Sequence, residues 1–197
     1  MPTDTGPLVR GRHLQEWLDA VGREPDPYRA RFFAGVPTSM RSEIQGTSGM
    51  TWLPARYHVH LAELMREHFG VARAHDYYRR QFAASLRGPV LGPLVRTGMK
   101  LLGVTPASVL RWADKGWDSS FRGCGTLLGE VVGPGRGRLV YAGLPAFCTS
   151  SDAWLESSQG SAYGVYDLMR ADGIVRIDKS GRGEGRFVVE MEWTTRK

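Results

Sequence analysis

The sequence predicts an α+β domain in which an N-terminal helical layer packs on a four-stranded antiparallel sheet. Apolar residues recur at helical spacing before Gly116, alternate with polar residues after it, and are joined in pairs by Gly-rich turns. A length of 197 residues suits a single compact domain with a sizeable core. Within it we distinguish an N-terminal helical extension, residues 1–52, from an α+β ligand-binding-like region, residues 53–197.

The first third of the chain predicts short helices separated by prolines. One helix carries an apolar stripe from Leu14 to Val21 and ends at Gly22. Three prolines then leave room for one-turn helices around residues 28–33 and 39–44.

Four stronger helices are predicted in the middle of the chain. The apolar spacing places three of them at residues 54–69, 71–87 and 89–103; a glycine follows the first two, and the third ends at Gly103. A fourth, short helix begins where Thr105 supplies an N-cap and Pro106 occupies the first helical position.

Two hairpins with a long helix between them are predicted after Gly116. Residues 126–132 and 139–141 form the first hairpin, residues 152–171 the helix, and residues 174–179 and 186–194 the second hairpin. The two hairpins most simply form one four-stranded sheet that the helix covers. The inner stripe of the helix, which is small in the middle and predicts close contact with the sheet, consists of Trp154, Ser158, Ser161, Val165 and Leu168. The apolar face of the last strand, which shows the strictest alternation, consists of Phe187, Val189, Met191 and Trp193.

Positive charge is concentrated in one segment. The chain has a formal charge of +6, and residues 71–111 hold seven basic side chains against the single acid Asp76. Such a surface either keeps the protein soluble or attracts an anionic partner, which would be a nucleic acid, an acidic protein, a phosphate-bearing ligand or a membrane surface. The anion-binding alternative rests on the arginines outside the apolar stripe, which are Arg73, Arg79, Arg80 and Arg87.

Composition favours a cytoplasmic protein. No apolar run approaches the roughly 20 residues of a membrane span, and the first twelve residues lack the apolar stretch of a signal peptide. Two cysteines are too few for a disulfide framework and fit a reducing compartment.

Catalytic and metal-binding motifs are absent from the sequence, so we expect neither a cofactor nor a metal, and the enzyme hypothesis lacks support. No Gly-x-Ser-x-Gly or His-Glu-x-x-His pattern occurs, and the two Gly-rich segments do not open helices. His58 and His60 point about 200° apart on a helix and cannot share a metal ion.

Cys148 is the one candidate reactive thiol, because it precedes the N-terminus of the long helix. It is either a small buried hydrophobic residue or the nucleophile of an enzyme or redox sensor, and no partner base is evident. Cys124, between two glycines, is interpreted as a strand-edge residue.

Three segments together suggest a family. They are Leu101-Leu102-Gly103-Val104-Thr105-Pro106, Val109-Leu110-Arg111 and Arg186-Phe187-Val188-Val189-Glu190-Met191-Glu192-Trp193. With the hairpin between them, they resemble an uncharacterised family of proteins of similar length expanded in myxobacteria. Its element order is similar to that of four-vinyl-reductase domains, TRAPP subunits and haem nitric-oxide-binding domains. The resemblance covers residues 53–194 and implies a helical layer on an antiparallel sheet that encloses an apolar small molecule or mediates dimerisation. Since the chain lacks a Tyr-x-Ser-x-Arg signature and has only two cysteines, neither haem nor zinc is implied for it.

The leading hypothesis is a non-enzymatic sensor or regulatory domain that binds a small molecule or another protein. Its partner would be an apolar small molecule or a protein, with a homodimer possible. An anion-binding module and a Cys148-dependent enzyme or redox sensor are the alternatives. Pocket candidates from facing apolar stripes are Tyr57, Leu61, Tyr78, Phe82, Trp112, Trp154, Phe187, Met191 and Trp193.

Overall fold

The fold begins with short strands and a layer of helices. A computed structural model describes residues 6–85, 92 and 105–195. Its elements up to residue 85 are β1 (Leu8–Arg10), α1 (Gly11–Gly22), α2 (Tyr28–Gly35), α3 (Thr38–Gly46), β2 (Trp52–Pro54), α4 (Ala55–Phe69) and α5 (Val71–Ser85).

The second half contains the main sheet and the long helix. Its elements are α6 (Pro106–Leu110), α7 (Ala113–Ser120), β3 (Phe121–Arg122), β4 (Thr126–Gly133), β5 (Arg136–Ala142), α8 (Ala146–Thr149), α9 (Asp152–Met169), β6 (Ala171–Asp178) and β7 (Phe187–Thr195). A 3₁₀ turn, Arg182–Glu184, lies between the last two strands.

The main sheet confirms the predicted α+β fold. Its four strands are antiparallel and lie in the order β4-β5-β7-β6, so the two hairpins join through β5 and β7. Leu127, Tyr141 and Phe187 are neighbours across three strands on the inner face. The predicted faces of β7 are also confirmed, because its alternating apolar residues are buried whereas Glu190 and Glu192 are exposed.

The long helix α9 begins as predicted and ends earlier. The Ser151 side chain accepts a hydrogen bond from the Trp154 backbone N–H at 3.3 Å, which is an N-cap. The helix stops at Arg170, whose φ of 51° is left-handed. The expected end at residue 171 is wrong, because Ala171 already pairs with Thr195 at the edge of the sheet.

Helix boundaries in the first half follow the predictions with small shifts. α4 begins at Ala55 because Pro54 pairs with Leu8 in a strand. α2 and α3, which were expected to be one-turn helices, are longer than that. Thr105 and Ser108 form the reciprocal capping box that starts α6. The predicted helix at residues 89–103 lies outside the described residues, apart from residue 92.

A small second sheet was not predicted. Its order is β2-β1-β3, and it joins the N-terminal segment to residues 52–54 and 121–122. The predicted boundary between residues 52 and 53 therefore falls within β2. Among the described helices, none is both long and apolar enough to cross a membrane.

Candidate functional site

A cavity of about 350 Å³ lies between the helices and the inner face of the main sheet. This volume is near the lower end of the range of about 300–1,000 Å³ typical of ligand sites. Its walls come from α1, α4, α5, α6, α7 and α9 and from strands β4, β5 and β7. The aromatic residues that line it are Trp17, Tyr78, Phe82, Trp112, Trp117, Phe121, Tyr141 and Trp154.

Small residues on α9 create the space. Ser157, Ser158 and Ser161 border the cavity where larger side chains would fill it. The close approach of this helix is to α5: a Cβ on Gly160 would be 2.9 Å from the Tyr78 Cβ, and one on Gly164 would be 2.6 Å from the Arg79 carbonyl oxygen. The two serines of the predicted inner stripe, Ser158 and Ser161, therefore do not bring the helix into close contact with the sheet as expected, because they border the cavity.

Two histidines and a tryptophan form a hydrogen-bonded chain in the cavity wall. The Trp154 indole Nε1–H lies 2.9 Å from His58 Nδ1, and His58 Nε2 lies 3.1 Å from His13 Nε2. An indole N–H can only donate, so His58 Nδ1 accepts and the proton of a neutral His58 is on Nε2. That proton is donated to His13 Nε2, which places the proton of His13 on Nδ1.

Burial keeps the two imidazoles of this hydrogen-bonded chain neutral. Desolvation, with a smaller contribution from His13, holds the pKa of His58 well below its ordinary value. Desolvation also lowers the pKa of His13, and the carboxylate of Glu16 partly opposes it. The rings of Trp17 and Phe121 lie 4.4 and 5.6 Å from the His58 ring. The site thus offers uncharged imidazoles in aromatic surroundings.

The charged groups that line the cavity are already engaged. Arg10 donates to the backbone carbonyls of Ser119 and Met50, and its guanidinium lies 3.8 Å from the centre of the Trp52 ring. Arg12 forms an ion pair of 2.9 Å with Glu16. A ligand therefore meets a mainly apolar surface with few uncommitted polar groups.

Five of the nine predicted pocket residues line the cavity. They are Tyr78, Phe82, Trp112, Trp154 and Met191. The other four lie elsewhere for separate reasons. Tyr57 donates to Glu43 at 2.7 Å, Leu61 is fully buried in the core, Phe187 stacks beneath Tyr141 at 4.2 Å, and Trp193 is buried at the far end of β7.

The sequence reasoning missed the histidine pair and Tyr141. His13 precedes Trp17 by four residues, a spacing that shares one helix face and could have drawn attention to it. Its partner His58 is 45 residues away, and local periodicity carries no information over that distance.

The predicted anion-binding arginines are paired with acids of the same chain. Arg73 and Arg80 contact Glu24 at 2.9 and 3.2 Å, and Arg79 makes two hydrogen bonds to Asp167. Arg87 lies outside the described residues. These contacts favour a structural and solubilising role for this surface.

Both cysteines are buried and do not line the cavity. Burial raises the pKa of the Cys148 thiol to about 12 and that of Cys124 to about 11. Desolvation thus opposes the lowered pKa that the nearby helix N-terminus suggested for Cys148. In the part of the chain that the structure describes, no three His, Cys, Asp or Glu side chains are grouped to hold a metal ion.

No family model and no curated protein matches the chain. Among solved structures, it is similar to an Fe(II) unliganded H-NOX protein from K. algicida, with 10% identity and a TM-score of 0.61, over 95% of this chain and 98% of that one. It is also similar to an oxygen binding H-NOX domain related to soluble guanylate cyclases, with 10% identity and a TM-score of 0.60, over 96% of each chain. A third similar structure, from work on heme distortion in the H-NOX family, has 10% identity and a TM-score of 0.59 over 96% of each chain.

This likeness confirms the haem nitric-oxide-binding part of the predicted resemblance at the level of the fold. At 10% identity it shows the fold alone. The likeness to four-vinyl-reductase domains, TRAPP subunits and the myxobacterial family stays a prediction.

The residues of the cavity do not fit a haem held through an axial histidine. All five histidines of the chain are among the described residues, and two of them, His13 and His58, line the cavity. An axial histidine binds haem iron through the lone pair of a ring nitrogen. Both lone pairs are occupied, since His58 Nδ1 accepts from Trp154 and His13 Nε2 accepts from His58.

The tyrosines of the cavity are engaged too. The hydroxyl of Tyr78 donates to the Ala62 carbonyl at 3.4 Å, and that of Tyr141 is hydrogen-bonded to Ser158. Burial raises the pKa of both phenols, which disfavours the phenolate that iron binds.

Proposed function

We propose that this chain is a non-enzymatic sensor domain that binds an apolar small molecule, without haem, in the cavity between its helices and its sheet. The observation that carries the proposal is an aromatic cavity of about 350 Å³ whose histidines are locked in a hydrogen-bonded chain. Pockets of this kind, apolar with a few placed polar groups, are typical of small-molecule sites. The similar H-NOX domain that is described as oxygen binding supports a ligand-binding use of this fold.

A ligand in this position would link the main structural layers. The cavity touches α1, α5 and α9 as well as three strands of the sheet, so an occupant stabilises their arrangement through binding to the native state alone. A protein partner or a second copy of the chain that recognises this arrangement would then receive the signal. In this proposal the small molecule is the signal, and the protein partner or second copy is its receiver.

The test uses naphthalene as a neutral apolar probe. Four tryptophans line the cavity, so binding should change their fluorescence. We expect saturable binding to the wild-type protein and at least about tenfold weaker binding to Ser161→Phe, because the added ring occupies the cavity. Leu128→Phe is the matched control: Leu128 is 53% exposed on β4, and its replacement should leave the affinity unchanged.

Two results would reject the proposal. One is the lack of saturable binding to the folded wild-type protein, and the other is equal affinity for wild type and a folded Ser161→Phe variant. Salt-dependent retention on heparin that is lost in an Arg79→Gln/Arg80→Gln variant would instead favour the anion-binding alternative.

A further inference from the structure

We infer that the ligand carries a neutral hydrogen-bond acceptor, a carbonyl or ether oxygen, which accepts the proton of His13 Nδ1. This inference rests on the proposed function and deepens it, because it names the chemical class of the ligand. It follows from the hydrogen-bonded chain and from what surrounds its last member.

The chain of donors ends on His13. Trp154 donates to His58, and His58 donates to His13, so the remaining N–H of the chain is on His13 Nδ1. Among the described residues, no group accepts from this nitrogen, although His13 lines the cavity and is only half-buried. The cavity wall therefore includes an imidazole whose Nδ1–H has no acceptor among the described protein groups.

A fixed donor in apolar surroundings selects for an acceptor. An apolar ligand that covered Nδ1–H without accepting from it would leave a polar group desolvated and unpaired, which is unfavourable. A site with such a donor therefore prefers a ligand that carries the matching acceptor over an analogue that lacks it. The His13 ring is held in place for this role by Trp17 and Phe121, whose ring centres lie 5.9 and 5.8 Å away.

The charges nearby favour a neutral acceptor over a carboxylate. Glu16, on the same helix, is the acidic neighbour of His13, and Arg12 is paired with that carboxylate at 2.9 Å. Arg10 is held by backbone carbonyls and by the Trp52 ring. A ligand carboxylate would lose its hydration without gaining an uncommitted cation from these residues.

The experiment compares two probes of nearly the same shape. In 2-acetylnaphthalene a carbonyl oxygen occupies the place of the terminal CH₂ of 2-isopropenylnaphthalene. We expect wild-type protein to bind the ketone about three- to tenfold more tightly, the factor that one net hydrogen bond provides. In His13→Phe this ratio should fall to about one.

His60→Phe is the matched control. His60 lies on α4 two residues after His58, but its imidazole is hydrogen-bonded to the Gly35 carbonyl at 3.2 Å, and it does not line the cavity. This variant should keep the wild-type ratio.

The outcomes separate the inference from the proposed function. If neither probe binds the wild-type protein, both fall. If both probes bind with equal affinity, or if His13→Phe keeps the wild-type ratio, the inference is wrong and the proposed function stands.

Nitrogen NMR of the imidazoles tests the same point without a variant. In wild-type protein, His58 should carry its proton on Nε2 and His13 on Nδ1, and the ketone should shift the His13 Nδ1 resonance more than the alkene does. The opposite tautomers, or equal shifts with the two probes, would overturn the inference even if His13→Phe failed to fold.

Discussion

A single indole N–H determines which nitrogen carries the proton in each of two histidines. Because Trp154 donates to His58 Nδ1, the proton of His58 is on Nε2 and that of His13 on Nδ1.

The buried histidine pair makes stability depend on pH. An unfolded imidazole binds a proton near its ordinary pKa of about 6.5, whereas burial holds the pKa of folded His58 well below that value. Between these two values the unfolded state binds more protons, so the free energy of unfolding should fall as the pH drops from 7 to 5. Urea unfolding at several pH values measures this dependence.

His58→Gln should reduce the pH dependence without removing it. Burial also lowers the pKa of His13 and of His75, and these two groups remain. Above pH 7.5 the variant and the wild type should show the same dependence, since imidazole is deprotonated in both states there. Greater stability of the wild type at pH 5 than at pH 7 would contradict this account.

Residue stripes predicted part of the site. Tyr78, Phe82 and Trp154 were found because they lie on apolar stripes of helices that face the sheet. The same reasoning included Leu61 and Phe187, which lie on the apolar faces of α4 and β7 but fill the core. Periodicity identifies the buried face of an element, but it does not distinguish a core contact from a cavity wall.

Helix α9 has two faces made of small residues, and the two faces have different effects. Gly160 and Gly164 let its backbone approach α5, whereas its serines leave space toward the sheet. The sequence shows that the helix is small along one side, but the division of these residues between two faces depends on where α5 lies. That position comes from contacts between residues about 80 apart and is not visible in a local pattern.

Gly164→Ala should destabilise the protein by about 1–3 kcal/mol. The new Cβ would lie 2.6 Å from the Arg79 carbonyl oxygen. The Cβ is fixed by the backbone of α9 and the oxygen belongs to the backbone of α5, so neither atom can move without its helix. Gly116→Ala in α7 is the control, because nothing lies within 4 Å of its Cβ position. That change should leave stability unchanged or raise it by up to about 1 kcal/mol, since alanine is the better helix former.

Urea unfolding compares the two glycine variants. Equal midpoints for Gly164→Ala and Gly116→Ala would show that α9 does not depend on close contact with α5.

Strands differed in how well the sequence predicted them. β7 was predicted because nine residues with strict alternation carry a clear period, and its pairing with β6 followed from the Gly-rich turn between them. Its pairing with β5 was not predicted, because no turn joins these two strands. β1, β2 and β3 have two or three residues each, too few to show any period. They exist because three distant segments meet at one place, which is a tertiary effect.

The structure combines an H-NOX-like fold with a cavity whose described residues do not fit a haem held through an axial histidine. Similarity over 95% of the chain at 10% identity shows that the layers are retained while most side chains differ. The paired arginines of α5 stabilise these layers, because Arg79 joins α5 to α9 through Asp167, and Arg73 joins it to Glu24 just after α1. Under the proposed function, the fold sets the position of the cavity, and the residues that line it determine which ligand it accepts.

The absorption spectrum and native mass of the protein, freshly purified from cells supplied with a haem precursor, test the central claim most directly. The account predicts no haem absorption band and a native mass equal to that of one polypeptide or a whole number of copies, alone or with an iron-free organic molecule. Haem absorption with a stoichiometric increase in mass by one haem would contradict it, because His13 or His58 would then have given up the hydrogen bond that occupies its lone pair.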